Sequence, residues 1–64
     1  MQVQYKCDGE RDYRGPLDVL VGNLYAGDAI SLGDIISITV ALAQHYDWHG
    51  THDGGSYSIV VLHE

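Results

Sequence analysis

The sequence predicts a small α+β domain in which a three-stranded antiparallel sheet is covered on one face by two helices, in the order β-α-α-β-β. Three observations lead to this fold class: an alternating N-terminal segment, two segments with helical spacing of apolar residues, and a C-terminal hairpin pattern. The 64 residues amount to about half of a typical domain. Residues 1–64 are therefore expected to form a single domain.

The N-terminal segment alternates between apolar and polar residues. Val3, Tyr5 and Cys7 are separated by glutamine and lysine, which is the period of a strand with one buried face. An Asp-Gly pair is expected to end this strand, and the charged stretch 10–15 is expected to be an exposed loop. Because Cys7 lies on the apolar face, it is predicted to be an inert core thiol.

Two later segments have the spacing of amphipathic helices. In the first, near 16–26, Pro16 suits the first helical position, and Gly27 offers the left-handed position that follows the end. The second begins at Ser31 with the Ser-x-x-Asp pattern of a capping box. Residues 34–42 also alternate as a β-branched strand would, but the cap and the Ala-Leu-Ala-Gln ending favour helix. The apolar stripe predicted for this second helix consists of Leu32, Ile35, Ile36, Leu42, Ala43 and Tyr46.

The C-terminal third predicts a hairpin, with a strand at 48–52, a turn at 53–55 and a strand at 56–63. Residues 59–62 are apolar on both faces, so the last strand is expected to lie centrally, between the first strand and strand 48–52. The uncovered face of the sheet is expected to carry leftover apolar groups. Such groups predict a partner site or a homodimer seam.

The charge balance of the chain is strongly acidic. Nine carboxylates oppose Lys6, Arg11 and Arg14, for a formal net charge of −6. A protein that holds DNA or RNA needs several cations to neutralise phosphates, so direct nucleic-acid binding is not expected, and a partner with a basic surface is favoured. A single cysteine excludes an intramolecular disulfide, and no apolar run is long enough to cross a bilayer. A cytoplasmic protein without membrane contact is expected.

The sequence contains no motif that indicates catalysis or a cofactor. It lacks a Gly-rich phosphate loop, a serine nucleophile elbow and an H-E-x-x-H helix, which predicts a protein that is not an enzyme. The alternative rests on His45, His49 and His52. If residues 45–49 were helical, His45 and His49 would share a face and His52 could complete a zinc site. The alternative hypothesis is therefore a small metal-binding protein that acts as a hydrolase when it forms an oligomer. If residues 48–52 instead form the first strand of the hairpin, His45 lies at the helix end, and His49 and His52 lie on opposite faces of that strand.

The favoured hypothesis is a non-enzymatic module that binds a larger basic or nucleic-acid-handling protein and inhibits or regulates it. In size and charge alone, the chain resembles compact acidic inhibitors of nucleic-acid-handling enzymes, such as those that phages make against host defence systems. No motif carries this resemblance. Carboxylates and aromatic residues with polar tips are the candidate contacts. The predicted partner-binding residues are Asp8, Glu10, Asp12, Tyr13, Tyr46 and Trp48.

Overall fold

The computed structural model describes residues 1–52 and 54–63, and within them the chain forms four strands and two helices. The elements are β1 (Gln2–Cys7), β2 (Tyr13–Pro16), α1 (Leu17–Ala26), α2 (Leu32–Ala43), β3 (Trp48–His52) and β4 (Gly55–Val61). All strand pairs are antiparallel, and the strand order is β2-β1-β4-β3. The predicted α+β class is confirmed, whereas the predicted three-stranded sheet and the order β-α-α-β-β omit β2.

Strand β2 lies in the stretch that was interpreted as an exposed loop. It is a short edge strand, and an edge tolerates Pro16 because the missing N–H is not needed by a second neighbour. Tyr13 pairs with Tyr5 of β1, and its hydroxyl donates a hydrogen bond of 3.0 Å to the carbonyl of Pro16. A Cβ on Gly15 would come within 2.7 Å of the Tyr13 hydroxyl, so the Tyr13 side chain could not keep this position if residue 15 were larger than glycine.

Strand β4 occupies the central position that its apolar residues predicted. It pairs with β1 on one side, where Val61 faces Val3, and with β3 on the other, where Ile59 faces Trp48. The strand ends at Val61, two residues before the predicted end. The predicted turn falls partly outside the described residues because it includes Asp53. Its Gly54 has a φ of 76°.

The helix interpretation of residues 34–42 is confirmed, and the predicted capping box starts the helix. The Ser31 hydroxyl accepts a hydrogen bond of 3.1 Å from the Asp34 amide, and the Asp34 carboxylate accepts one of 3.1 Å from the Ser31 amide. Helix α1 begins one residue later than predicted, because Pro16 is its N-cap and has an extended backbone.

Both helices end with a residue other than glycine in the left-handed region. Asp28 follows α1 with a φ of 58°, and His45 follows α2 with a φ of 63°. After each of them, the next amide donates to the carbonyl five residues earlier, which is the Schellman arrangement. Gly27, which was predicted for the left-handed position, is instead the C-cap, with a φ of −88°.

The core lies between the helices and one face of the sheet. Residues at alternate positions of β1 and β4 pack there against both helices and the segment that joins them. The fully or nearly buried residues are Val3, Tyr5, Leu17, Leu20, Ile30, Ile38, Leu42, Tyr57 and Ile59.

The buried stripe of α2 differs from the predicted one. Ile38 and Leu42 are completely buried, whereas Leu32 and Ile36 are exposed, and Tyr46 lies beyond the helix end with 65% of its surface exposed. Helix α2 is apolar on nearly all sides, so periodicity alone does not decide which side faces the sheet.

The open face of the sheet is mainly polar, contrary to the leftover apolar surface that was expected there. It carries Gln2, Gln4, Lys6, Arg14, Pro16, His49, Thr51, Ser56, Ser58 and Val60. The leftover apolar surface lies on the helices instead.

Candidate functional site

The loop between β1 and β2 presents the three predicted acidic contacts to solvent. Asp8, Glu10 and Asp12 are all exposed, and Asp12 accepts a hydrogen bond of 3.3 Å from the amide group of Gln4 on the open face of the sheet. Asp8 and Asp12 border a depression of about 650 Å³ on that face, which His49 also lines. The loop is therefore accessible to a partner.

The predicted aromatic contacts differ in their accessibility. Tyr46 is exposed, whereas Tyr13 is half-buried and its hydroxyl already donates to backbone. Trp48 is half-buried on the core side of β3, and its indole N–H donates a hydrogen bond of 3.0 Å to the Tyr57 hydroxyl. Removal of Trp48 would thus disturb the fold. The partner-binding role of these residues stays a prediction.

Gly50 makes this arrangement of aromatic rings possible. It pairs with Tyr57 across β3 and β4, and a Cβ at Gly50 would come within 2.6 Å of the Tyr57 ring. The ring therefore lies over the glycine, a position that leaves the Tyr57 hydroxyl in reach of Trp48. A tyrosine that covers a strand glycine in this way fills the space of the absent side chain.

The three histidines of the predicted zinc site lie in different surroundings. His45 follows α2 in the left-handed region, and its ring lies 5.7 Å from that of His63. His49 is exposed on the open face of the sheet, and His52 is half-buried on the core face, as strand alternation requires. Residues 1–52 and 54–63 contain one group of side chains whose donor atoms are close enough to bind a metal ion together. Of the three histidines, this group includes only His52.

That group consists of Cys7, Glu10 and His52, whose donor atoms lie within 4.8 Å of one another. The Cys7 sulfur is 3.7 Å from His52 Nε2, and the Tyr5 hydroxyl is 2.9 Å from the same nitrogen. The Tyr57 ring adjoins the cluster, with its centroid 5.2 Å from that of His52. Residues from β1, the following turn and β3 thus meet at one end of the sheet.

The turn after β1 explains why Glu10 returns to Cys7. The Glu10 amide donates a hydrogen bond of 3.1 Å to the Cys7 carbonyl, and Gly9 has a φ of 81°. A positive φ at the third residue is the requirement of a type II turn, which glycine meets without strain. The Asp-Gly pair therefore does more than end the strand, because it also brings residues 7 and 10 together.

The cluster changes the proton affinities of its acids. A hydrogen bond with Glu10 raises the pKa of the Cys7 thiol above its ordinary value, and this effect exceeds an opposing one from Tyr5. Burial is the main cause that raises the pKa of the Tyr5 hydroxyl, with a hydrogen bond to Cys7 as the second cause. At neutral pH, both groups therefore hold their protons. Cys7 is half-buried rather than a sealed core thiol.

The outer side of α2 carries an apolar surface that the fold does not cover. Leu32, Ile36 and Val40, which we call the outer stripe, are 61%, 67% and 51% exposed. They are four residues apart and so form one line along the helix. A groove of about 400 Å³ between the helices has mostly apolar walls, and Thr39 of α2, next to Val40 in sequence, is part of its lining.

The charges of the helical region all have one sign. Lys6, Arg11 and Arg14 are the only lysines and arginines of the chain, and all of them precede the helices. The helical segments and their junction contain Asp18, Asp28 and Asp34. The formal side-chain charges within the helical segments and their junction are therefore exclusively negative.

Comparison with known proteins gave no relative. The chain matches no protein-family model, no curated protein and no solved structure. Neither helix in the described part of the chain has the length and apolar character that a membrane crossing needs.

Proposed function

We propose that this chain is a non-enzymatic binding module that docks through the outer stripe onto a larger protein with a basic surface, and thereby inhibits or regulates it. The observation that carries the proposal is the exposure of Leu32, Ile36 and Val40 along one side of a well-capped helix. Three large aliphatic side chains in a line on a rigid element suit insertion into a complementary groove.

The burial gained on docking would be substantial. Full burial of an exposed large aliphatic side chain contributes about 1.5–3 kcal/mol, before the costs of association. The capping box fixes the first turn of α2, and Ile38 and Leu42 anchor its other side in the core. The stripe is therefore ordered before it meets a partner, which lowers the entropic cost of binding.

Charge complementarity supports a basic partner rather than a second copy of this chain. Two copies that met through their helices would oppose carboxylates with carboxylates, because this region contains no lysine or arginine. A basic surface around an apolar groove would instead attract the module and speed the encounter. Proteins that handle nucleic acids have basic surfaces because they neutralise phosphates, so this class is the partner that we propose.

The acidic loop of Asp8, Glu10 and Asp12 and the exposed ring of Tyr46 remain candidates for additional contacts in this proposal. Their exposure permits contact. Charges at the edge of an interface act mainly on the association rate, whereas buried apolar anchors act mainly on dissociation. The outer stripe is therefore proposed as the centre of the interface, and the loop, which borders the open face of the sheet, as a source of negative charge that speeds the encounter.

Site-specific photocrosslinking in the native cell tests the location of the interface. A photoreactive phenylalanine derivative placed at Ile36 is expected to capture a protein with a basic surface, and Ile36→Asp is expected to prevent its co-purification with the module. The same probe at His49, on the open face of the sheet, is the matched control. Capture from His49 alone, or capture of only a second copy of this chain from Ile36, would contradict the proposal.

A further inference from the structure

We propose that Cys7, Glu10 and His52 bind a divalent transition metal ion, with zinc preferred. Thiolate, imidazole and carboxylate are the three donor types that zinc takes in proteins, and a thiolate with an imidazole disfavours magnesium and calcium. Three protein donors leave one tetrahedral position for water or for a donor from another molecule. This site differs from the histidine cluster that the sequence suggested, because it uses only His52.

The distance between the Cys7 and His52 donor atoms fits a tetrahedral ion. With metal bonds of about 2.3 Å to sulfur and about 2.0 Å to nitrogen, the two donor atoms of a zinc site lie about 3.5 Å apart. Cys7 Sγ and His52 Nε2 are 3.7 Å apart. The Glu10 donor oxygen lies within 4.8 Å of both. Glu10 is exposed, so its side chain has room for the small adjustment that coordination needs.

The fold brings these donors together in two ways. The turn at Asp8 and Gly9 returns Glu10 to Cys7, as the hydrogen bond between their backbones shows. His52 reaches Cys7 across β4, and its register partner on that strand is Gly55, which has no side chain to block the approach. The arrangement thus depends on the backbone of three elements rather than on a chance contact of long side chains.

Tyr5 competes with the metal for His52. Its hydroxyl is 2.9 Å from Nε2, the nitrogen that also faces the Cys7 sulfur, and coordination would replace this hydrogen bond. Binding would also release the Cys7 thiol proton to solvent, since thiolate is the ligand. Tyr5→Phe removes the competing hydroxyl while it keeps the ring, so this variant is expected to bind metal at least as tightly as the original chain.

Cobalt is the probe that tests the site, because a cobalt–thiolate bond absorbs light by charge transfer. Titration of the purified full chain with Co²⁺ is expected to give this absorption together with the intense visible bands of tetrahedral cobalt, at one ion per chain. Zn²⁺ is expected to displace the cobalt and to raise the melting temperature, since a ligand that binds only the folded state stabilises it.

Two variants and two controls test Cys7 and Glu10 as ligands. Glu10→Gln, at an exposed position, is expected to weaken cobalt binding by about tenfold or more, because even the loss of a group that only hydrogen-bonds to a metal ligand has an effect of about this size. Cys7→Ser is expected to abolish the charge-transfer absorption. Asp8→Asn and the double variant His45→Gln/His49→Gln are expected to bind as the original chain does.

The site would be overturned by the absence of charge-transfer absorption in the original chain, by its persistence in Cys7→Ser, or by full-strength cobalt binding by Glu10→Gln. Loss of binding in the double histidine variant would place the metal on the surface histidines instead. Circular dichroism confirms that each variant is folded, and Glu10→Gln carries the test if Cys7→Ser is not. None of these measurements involves a protein partner, so their outcome is independent of the proposed docking function.

Discussion

Ile36 and Ile38 are the same amino acid, two positions apart on one helix, yet Ile38 is completely buried and Ile36 is 67% exposed. The inner side of α2 packs against the core face of the sheet, and the open face of the sheet is mainly polar. The outer side has the same chemistry, and no element in the described part of the chain covers it. Packing of the core therefore explains why the inner side of α2 is apolar. It does not explain the apolar outer side, for which we propose docking.

The largest expected effect is a difference between these two isoleucines in how much their substitution lowers the free energy of unfolding. Ile38→Ala removes a completely buried side chain and is expected to lower the free energy of unfolding by about 2–5 kcal/mol, whereas Ile36→Ala should change it by less than about 0.5 kcal/mol. Urea denaturation followed by circular dichroism measures both. If Ile38→Ala does not fold, Ile38→Val, with an expected loss of about 0.5–1.5 kcal/mol, replaces it. Equal losses at both positions would mean that the outer stripe is already covered.

Two glycines make the same comparison between the inside and the outside of the fold. Gly50→Ala would push a methyl group into the Tyr57 ring, so a loss of about 1–3 kcal/mol is expected. Gly22→Ala, at an exposed position of helix α1, meets no atom within 4 Å and should increase stability by about 0.5–1 kcal/mol. Thermal unfolding of the two variants should shift in opposite directions, and shifts of the same sign would contradict the described packing.

The cap of α2 is expected to contribute a smaller amount. Ser31→Ala removes the acceptor for the Asp34 amide and should cost about 1 kcal/mol. Ser37→Ala, at an exposed position inside the same helix, should instead be neutral or slightly stabilising, because alanine has the higher helix propensity. Chemical denaturation distinguishes the two serines. A costless Ser31→Ala would show that the sheet alone orders the outer stripe.

The smallest expected effect is on the pH dependence of stability, and it concerns Tyr5, on the inner side of the sheet. Its pKa is raised above the ordinary value of 10.0, mainly by burial, so the folded chain holds this proton more tightly than the unfolded chain does. The resulting contribution to stability is complete below pH 10 and is lost as the pH rises toward the folded-state pKa. Tyr5→Phe should flatten the fall in the free energy of unfolding between about pH 9.5 and 11, which is the range in which the tyrosine of the unfolded chain ionises. An unchanged slope would contradict this prediction.

Most of the fold could be predicted because its signals are local. The alternation of β1, the capping box of Ser31 and the hairpin pattern each depend on residues close in sequence. Strand β2 escaped prediction because four residues that include Gly15 and Pro16 resemble a loop until β1 is present to pair with them. The buried side of α2 escaped because several of its sides are apolar.

The candidate sites were harder to predict than the fold. Cys7 and His52 are 45 residues apart in sequence, and only the register of three strands brings them to 3.7 Å. The closely spaced His45 and His49 were more conspicuous, but a helix end and strand alternation separate them from His52. Closeness in sequence indicated the wrong partners for this histidine. The Cys7–Glu10 turn was the one local signal available.

The interaction of the module with its partner tests the central claim most directly. With the protein captured by crosslinking immobilised on a sensor surface, Ile36→Ser is expected to dissociate about tenfold faster than the original chain, which corresponds to about 1.4 kcal/mol. Its free energy of unfolding should stay unchanged, and His49→Ser should bind as the original chain does. An unaltered dissociation rate for Ile36→Ser, together with faster dissociation of His49→Ser, would move the interface to the open face of the sheet and contradict the account.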